Sequence, residues 1–394
     1  MIKRGGMAEV YEAVSEQSGR RVALKKLLHN RGEADVAAFA DEARIASQLD
    51  HSSIVPVLDY GAVDGQPFQV LELVDGYDLR ELVQLGRRKE CPPPIEVGLM
   101  VGACIGRALE YAHHAKDDDG RPLDIVHRDV TPHNILVSWA AEIRLADFGI
   151  AMSARRAAVT EPGFVKGKLS FMAPEYLANR RVSPQIDVFG LGCVLHFIFT
   201  GKSPFFSEKA RADAARGVMP ALLEGVPEAL AEIIMWACHP SPTHRCASAL
   251  ELAQACESTL ERRSGPAAES VLREWLQQLR PAPPIVDKAR LAEVFVVAPT
   301  GLDTKTGVAR FRTMPMQPST QLVDPPPPSA VFADPALATV PSSPETSMAT
   351  GVAAAETADK AGEATISVPA SRDELLDVDF GAYEPIEPLR DDGR

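Results

Sequence analysis

The stretch from His127 to Gly149 constrains this chain more than any other. It reads H-R-D-V-T-P-H-N-I-L-V, a polar turn, then I-R-L-A-D-F-G. Two short apolar runs around a turn suit a hairpin, which carries Asp129, Asn134 and Asp147 to one rim. Two carboxylates and an amide so placed support phosphoryl transfer on a magnesium nucleotide. Asp129 accepts the proton of an incoming hydroxyl, and Asn134 and Asp147 hold metal ions against the phosphates. H-R-D or D-F-G alone is a weak signal. The two in this order, at this distance, are a strong one.

The rest of the chain supplies a setting for such a rim. Apolar periodicity is dense up to about residue 262 and then fades. Beyond that point lie 17 of the 32 prolines, Pro325 to Pro328 among them, in a background of Ala, Ser, Thr and acidic side chains. Residues 1–262 are therefore expected to fold, and 263–394 to form a Pro-rich, acidic and mostly disordered tail. Two pieces of the tail carry more pattern. Ser270–Leu279 suits a short helix with Trp275 and Leu279 on one face, and Leu291–Val297 suits a brief strand or docking segment. Within the folded part, Ala8–Val14, Arg21–Leu27, Ile54–Tyr60 and Phe68–Leu73 read as strands, with a helix over Val36–Leu49. After Gly76 the pattern turns helical. Ile95–Ala115 and Pro184–Phe199 are long and apolar, and shorter helices are expected at Ala210–Arg216, Glu228–Ala237 and Ala247–Arg262. The expected fold class is α+β and bilobal: a small strand-rich lobe over 1–75, a larger helical lobe over 76–262, and a ligand cleft at their junction.

Further motifs for that cleft follow one another along the chain. Lys3 to Val10 reads K-R-G-G-M-A-E-V, and Val22 to Lys25 reads V-A-L-K. F-A-D-E-A-R-I puts Glu42 on the first helix, and L-E-L-V spans Leu71 to Val74. After D-F-G come A-P-E at Ala173 to Glu175, D-V-F-G-L-G from Asp187, and P-x-x-R at Pro242 to Arg245. Together, over roughly residues 3–256, these motifs resemble the eukaryotic-like protein kinase family in its bacterial Ser/Thr branch. The resemblance implies a protein-kinase-like fold with an N-lobe and a C-lobe, and it assigns roles. Gly5 and Gly6 belong to the glycine-rich loop, and Val10 and Ala23 sandwich adenine. Lys25 pairs with the α/β-phosphates and is oriented by Glu42. Leu71, as gatekeeper, Glu72 and Leu73 form the hinge whose backbone binds the adenine edge. Asp78 falls where ribose or substrate contacts occur, although the D-G pair before it also suits a turn. Glu175 pairs with Arg245, and Asp187 holds the catalytic-loop backbone. A charge in so apolar a helix needs a partner on any reading. The implied cofactors are ATP and Mg2+, with Mn2+ as an alternative metal.

The sequence departs from the family pattern at several places. Lys3 and Ala8 stand where the first and third glycines of G-x-G-x-x-G fall, and only two residues precede Lys3, so the first strand is expected to be truncated. Thr131 replaces the lysine of H-R-D-x-K-P-x-N, which contacts the γ-phosphate. Lys168 stands where the threonine of G-T-x-x-Y/F-M bonds the catalytic aspartate, and the hypothesis is that it returns to the site the cation that Thr131 lacks. Catalytic roles therefore fall to Asp129, Lys25, Glu42, Thr131 and Lys168. Pro132 is kept and the A-A-R-N pattern of tyrosine kinases is missing, which favours Ser/Thr acceptors. Thr160 leads Ser153 and Ser170 as the activation-segment phosphorylation site, filled by an upstream kinase or by autophosphorylation, with Arg128 to receive the phosphate. The implied function is ATP-dependent phosphoryl transfer to Ser/Thr hydroxyls of protein substrates. The alternative is a pseudokinase or nucleotide-binding signalling scaffold acting through protein interaction, which Lys3, Ala8 and Thr131 favour. A small-molecule phosphotransferase fits less well, because the segment from D-F-G to A-P-E and its P-x-x-R partner build a platform for a polypeptide.

Composition narrows the partners. A net charge of -13 excludes a general nucleic-acid binder. The six cysteines form no C-x-x-C pair and read as buried free thiols, which suits a reducing, cytoplasmic setting. No run of about 18 uncharged apolar residues is present, so no membrane span is expected. From Gly351 onward 11 acidic residues face 4 basic ones, a solvated tail or a peptide that binds a protein partner.

Overall fold

The structure is a computed structural model, and it describes residues 1–15, 19–29, 31–63, 65–117, 119–148, 167–219, 221 and 224–280, with the backbone of two strands at 295–302 and 309–315. The chain divides into a unit over Met1–Pro325 and a second over Pro326–Arg394. The second unit, and with it the expectations for the acidic tail, lies outside the described residues.

The first lobe is a sheet with one helix on it. Its strands are β1 (Lys3–Arg4), β2 (Ala8–Ser15), β3 (Arg21–Leu27), β4 (Val57–Val63) and β5 (Gln66–Glu72), and α1 (Glu33–Ala46) lies between β3 and β4 in sequence. Pairing is antiparallel throughout this set, β1 to β2, β2 to β3, β3 to β5 and β5 to β4. Strand alternation sorts β3 into two faces. Val22 and Leu24 pack with Ala13, Phe68 and Val70 on one face, while Lys25 turns to α1 on the other. Strand β4 starts later than the expected Ile54–Tyr60. Pro56 has no N–H to give a ladder, and Ile54 instead bridges to Leu145 in the other lobe.

The second lobe is helical. It opens with the short strand β6 (Gly76–Asp78), then α2 (Leu79–Arg88) and α3 (Ile95–His113). The strands β7 (Ile135–Ser138) and β8 (Ile143–Leu145) follow, antiparallel to one another, with β6 beside β7. This is the expected hairpin. Gly76 has no alternative, since a Cβ there would lie 2.0 Å from the Val137 carbonyl oxygen. Then come α4 (Pro174–Asn179), α5 (Gln185–Thr200), α6 (Glu208–Ala215), α7 (Glu228–Ala237) and α8 (Ala249–Arg263). Helix α5 is buried on every side, as its almost wholly apolar sequence, with Asp187 and His196 as exceptions, requires. All six cysteines are free, four of them buried. Burial pushes the Cys246 and Cys256 thiols up to about 12, so they pack as inert apolar groups. Among the described residues no helix is long and apolar enough to cross a membrane.

Two findings depart from the boundary drawn at residue 262. A 3-10 turn (Gly265–Ala267) leads into α9 (Ala268–Leu279), whose Leu272, Trp275, Leu276 and Leu279 join the core of the helical lobe. The lobe therefore reaches Leu279. Farther on, β9 (Phe295–Leu302) and β10 (Ala309–Pro315) pair with each other, and β9 pairs in parallel with β2.

Candidate active site

The site forms where β3 and α1 of the first lobe face the β7–β8 hairpin of the second. Lys25 projects from β3, opposite Val10 on β2 and Gln69 on β5. Its ammonium donates to Glu42 Oε1 at 2.8 Å and to Asp147 Oδ1 at 2.8 Å. The stem passes Phe39 of α1, with Nζ 5.6 Å from the ring centroid. Burial pulls the Lys25 amine down, yet the Asp147 and Glu42 carboxylates more than offset it and carry it above the ordinary lysine value. Burial likewise pushes the Asp147 carboxyl up, and the Lys25 charge overcomes that and holds it below the usual carboxylate range. Two ion pairs that share Lys25 thus join β3, α1 and the segment after β8.

Asp129 is the second centre. Asn134 Nδ2 donates to its carbonyl at 2.9 Å and to Oδ2 at 3.0 Å, and Lys168 Nζ donates to the same Oδ2 at 2.7 Å. Its Oδ1 is buried with no partner among the described residues, an oxygen left free to accept a proton. Asn134 spends its amide nitrogen on Asp129, so its Oδ1 is available to a cation. Asp147 has one oxygen on Lys25 and keeps a side chain 45% exposed. Two such oxygens fit Mg2+, which takes one or two protein oxygens and completes its octahedron with phosphate and water. Among the described residues no cluster of three or more His, Cys, Asp or Glu is present. The Thr131 backbone carbonyl accepts from Asn134 N at 3.0 Å; among the described residues its hydroxyl makes no bond to Asp129.

Several residues hold this loop in shape. Asp187, at the start of α5, accepts from the backbone N–H groups of His127 and Arg128 at 2.8 Å each, and from His113 Nε2 at 2.8 Å. His127 takes the Asp129 N–H on Nδ1 at 3.3 Å and gives Nε2–H to the Ala146 carbonyl at 3.1 Å, its ring 4.7 Å from Phe148. Arg128 sits at φ 64°, and its Nε is buried without a partner among the described residues. Farther out, Arg245 grips Glu175 through two hydrogen bonds of 2.7 and 3.0 Å and also donates to the carbonyls of Gln185, His239 and Pro240.

The remaining expected residues line the rim. Gly5 and Gly6 make the exposed β1–β2 turn, where Gly5 N donates to Ala8 O at 2.9 Å and the Gly6 carbonyl accepts from Arg31. Ala23 lies in register between Glu12 and Leu71. Leu71 and Glu72 end β5, Leu73 follows, and the Glu72 carboxylate pairs with Arg144 of β8 at 2.9 Å. Thr160, Ser153 and Gly149 lie outside the described residues. Asp78 is more than a rim residue. It caps α2 in a reciprocal box with Glu81, a D-x-x-E signal present in the sequence. It also accepts from Lys3 at 3.1 Å and from His133 Nδ1 at 3.1 Å, and Arg80 donates to His133 Nε2 at 2.8 Å. Burial would raise the Asp78 carboxyl, but the His133 hydrogen bond and the Lys3 charge win and lower it. Lys3 thus crosses the mouth of the cleft from one lobe to the other. Nothing in its sequence context signals that contact.

Comparison with known proteins agrees with this fold. The family described as Protein kinase domain matches residues 1–259. The chain is 34% identical over 275 residues to the tyrosine-protein kinase MasK of Myxococcus xanthus, covering 66% of this chain and 42% of that protein. It is 34% identical over 292 residues to the serine/threonine-protein kinase PknH of Mycobacterium tuberculosis, covering 72% and 45%. The chain therefore spans less than half the length of these relatives. The crystal structure of the Mycobacterium tuberculosis PknI kinase domain superposes with a TM-score of 0.50 at 27% identity, over 66% of this chain and 94% of that one.

Proposed function

The chain belongs to the protein kinase family, whose domain matches residues 1–259, and from that premise we propose that it transfers the γ-phosphoryl group of ATP to Ser or Thr hydroxyls of protein substrates. The observation that carries the proposal is the Lys25 ammonium held 2.8 Å from both Glu42 and Asp147. A lysine stem so fixed points its charge at phosphate rather than at water. Asn134 and Asp147 would hold Mg2+, or Mn2+ in its place, which when bound neutralises charge on the phosphate oxygens. Asp129 orients the acceptor hydroxyl and takes its proton on Oδ1, the oxygen that Asn134 and Lys168 leave unbonded. Lys168 supplies beside Asp129 the positive charge that Thr131 does not. Glu175 and Arg245 hold the segment on which a polypeptide would lie. A phosphate on Thr160 would give the buried Arg128 Nε a partner.

Two relatives are named for different acceptors, serine/threonine for PknH and tyrosine for MasK. Pro132 and the missing A-A-R-N pattern favour serine and threonine here. Incubation with labelled ATP, Mg2+ and a basic protein substrate tests the proposal, with D129A as the control. Label on Ser or Thr that D129A abolishes is the expected result. Label on Tyr would move the chain to the second acceptor class. Nucleotide binding with no transfer would favour a signalling scaffold, a reading in which the Lys168–Asp129 pair locks the carboxylate.

A further inference from the structure

The edge of the first lobe is covered by a part of the chain that the kinase match does not include. Among the described residues, strand β1 pairs only with the start of β2, Lys3 opposite Val10 and Arg4 opposite Glu9. The other half of the same β2 edge is taken by β9, in parallel, with Ala13 opposite Phe295, Val14 opposite Val296 and Ser15 opposite Val297. An uncovered edge there would be a row of unpaired backbone groups. A second observation points the same way. The face of the sheet away from α1 carries Ala13, Val22, Leu24, Phe68 and Val70, all between 0% and 6% exposed. Helix α1 covers the opposite face, so these side chains need another cover to be so dry. Strand β10 lies beside β9 at one end of the sheet and also against β4 at the other, which curls the sheet around that apolar face. Between Arg280 and Phe295, residues 281–294 can span at most about 50 Å.

We propose that residues 295–315 are a built-in strand graft: they dock on the Ala13–Ser15 edge of β2 by strand addition and close the roof of the nucleotide site. The roof strands carry Val10, Ala23 and Lys25, so the graft sets how well they are held for a nucleotide. That last clause rests on the function proposed above; the docking does not. Strand addition of this kind draws affinity from backbone hydrogen bonds, and it makes nucleotide binding answer to a segment outside the catalytic motifs. Anything that draws the segment away, a protein partner or a modification, loosens the roof.

The full chain carrying S15C and V297C tests the docking. Residues opposite each other on paired strands lie about 4.8 Å apart, within disulfide range. Mild oxidation and peptide mapping should find the 15–297 bridge within one chain, well above a S15C/S367C control. A yield equal to the control overturns the proposal, and so does a bridge that runs between two chains. The full-length V296P variant tests the consequence, because proline breaks the strand. Hydrogen exchange across residues 8–15 should rise. If the closed roof falls to a fifth of the population, the Kd for Mg-ATP rises about fivefold. Unchanged exchange, or faster exchange with unchanged Kd, overturns the role in the roof. A chain that bound no nucleotide even as wild type would refute the kinase reading, while the bridge and the exchange would still decide the docking.

Discussion

At the scale of single residues, the site is built on two lysines that face carboxylates. Lys168 donates to Asp129 at 2.7 Å, and Thr131 is the residue that a kinase usually replaces with lysine. If the two positions exchange duties, K168A should lower kcat about a hundredfold, the cost of one charge-stabilising donor, while K166A, outside the described residues, changes little. The sharper form is the swap. K168T alone should be as poor as K168A, and T131K/K168T should recover at least about tenfold of the loss. Equal small effects of K168A and K166A in steady-state assays would end the idea. Lys25 makes a different prediction. A depressed carboxylate such as Asp147 stabilises the fold above its unfolded-state pKa and loses that contribution as pH falls through the folded value. A raised ammonium such as Lys25 contributes below its unfolded-state pKa and loses it as pH rises through the folded value. The pair is therefore intact between the ordinary carboxylate and lysine ranges. The stability difference between wild type and K25M should be constant from about pH 5 to about pH 9 and, at the acid end, shrink below about pH 4. Urea titrations across that range check it, and a midpoint near neutrality would contradict the assignment.

At the scale of elements, the helices show what the sequence made legible and what it hid. The strongest signals were local. V-A-L-K alternates, so Leu24 and Lys25 had to face opposite ways, and the almost wholly apolar α5 had to be buried. Asp187 was recognisable as a charge in need of partners, and two of the partners are backbone N–H groups of the catalytic loop. Its third, His113, ends a helix 74 residues earlier, and no spacing rule connects them. D187A would leave those donors unsatisfied in the core, at a cost of about 3–5 kcal/mol, measurable as a lower urea midpoint. The same limit hid the packing of α3 on α8. Gly102 reads as a weak helix residue, yet a Cβ there would come within 2.5 Å of Cys256 Sγ. G102A should therefore destabilise by about 1–3 kcal/mol through overpacking, and C256A in the same chain should return part of that loss. Additive effects would show that the two sites do not meet. The boundary at residue 262 had a similar cause. Past it, composition turns Pro-rich, but the spacing of Leu272, Trp275, Leu276 and Leu279 is still that of a buried helical stripe. A composition average spans a longer stretch than this one helix and so passes over it.

At the scale of the whole molecule, the two lobes rest on cores of very different size. The helical lobe has a continuous apolar core from α2 to α9, whereas the sheet of the first lobe keeps a separate cluster of five buried side chains. So small a core is marginal by itself, and the first lobe should open more readily than the second. Described contacts also tie the lobes: Leu49 and Ile54 join the apolar core of the helical lobe, and Asp50 N donates to the Tyr111 hydroxyl at 3.1 Å. Lys3 meets Asp78, Glu72 meets Arg144, and Leu145 exchanges backbone hydrogen bonds with Ser53 and Val55. The Lys25–Asp147 pair lies among them, so a nucleotide bound at that pair touches both lobes at once. A ligand that binds only the closed form stabilises it by RT ln(1 + [L]/Kd), about 2.7 kcal/mol at a hundred times Kd. Amide exchange in β2 and β3 should then slow by up to about a hundredfold when Mg-ATP is added at that excess. D147A should lose most of this protection at the same concentration, because it removes both one of the two partners of Lys25 and one oxygen for the metal. If D147A were protected as well as wild type, the nucleotide would be held by the roof alone, and Asp147 would have no part in joining the lobes around it.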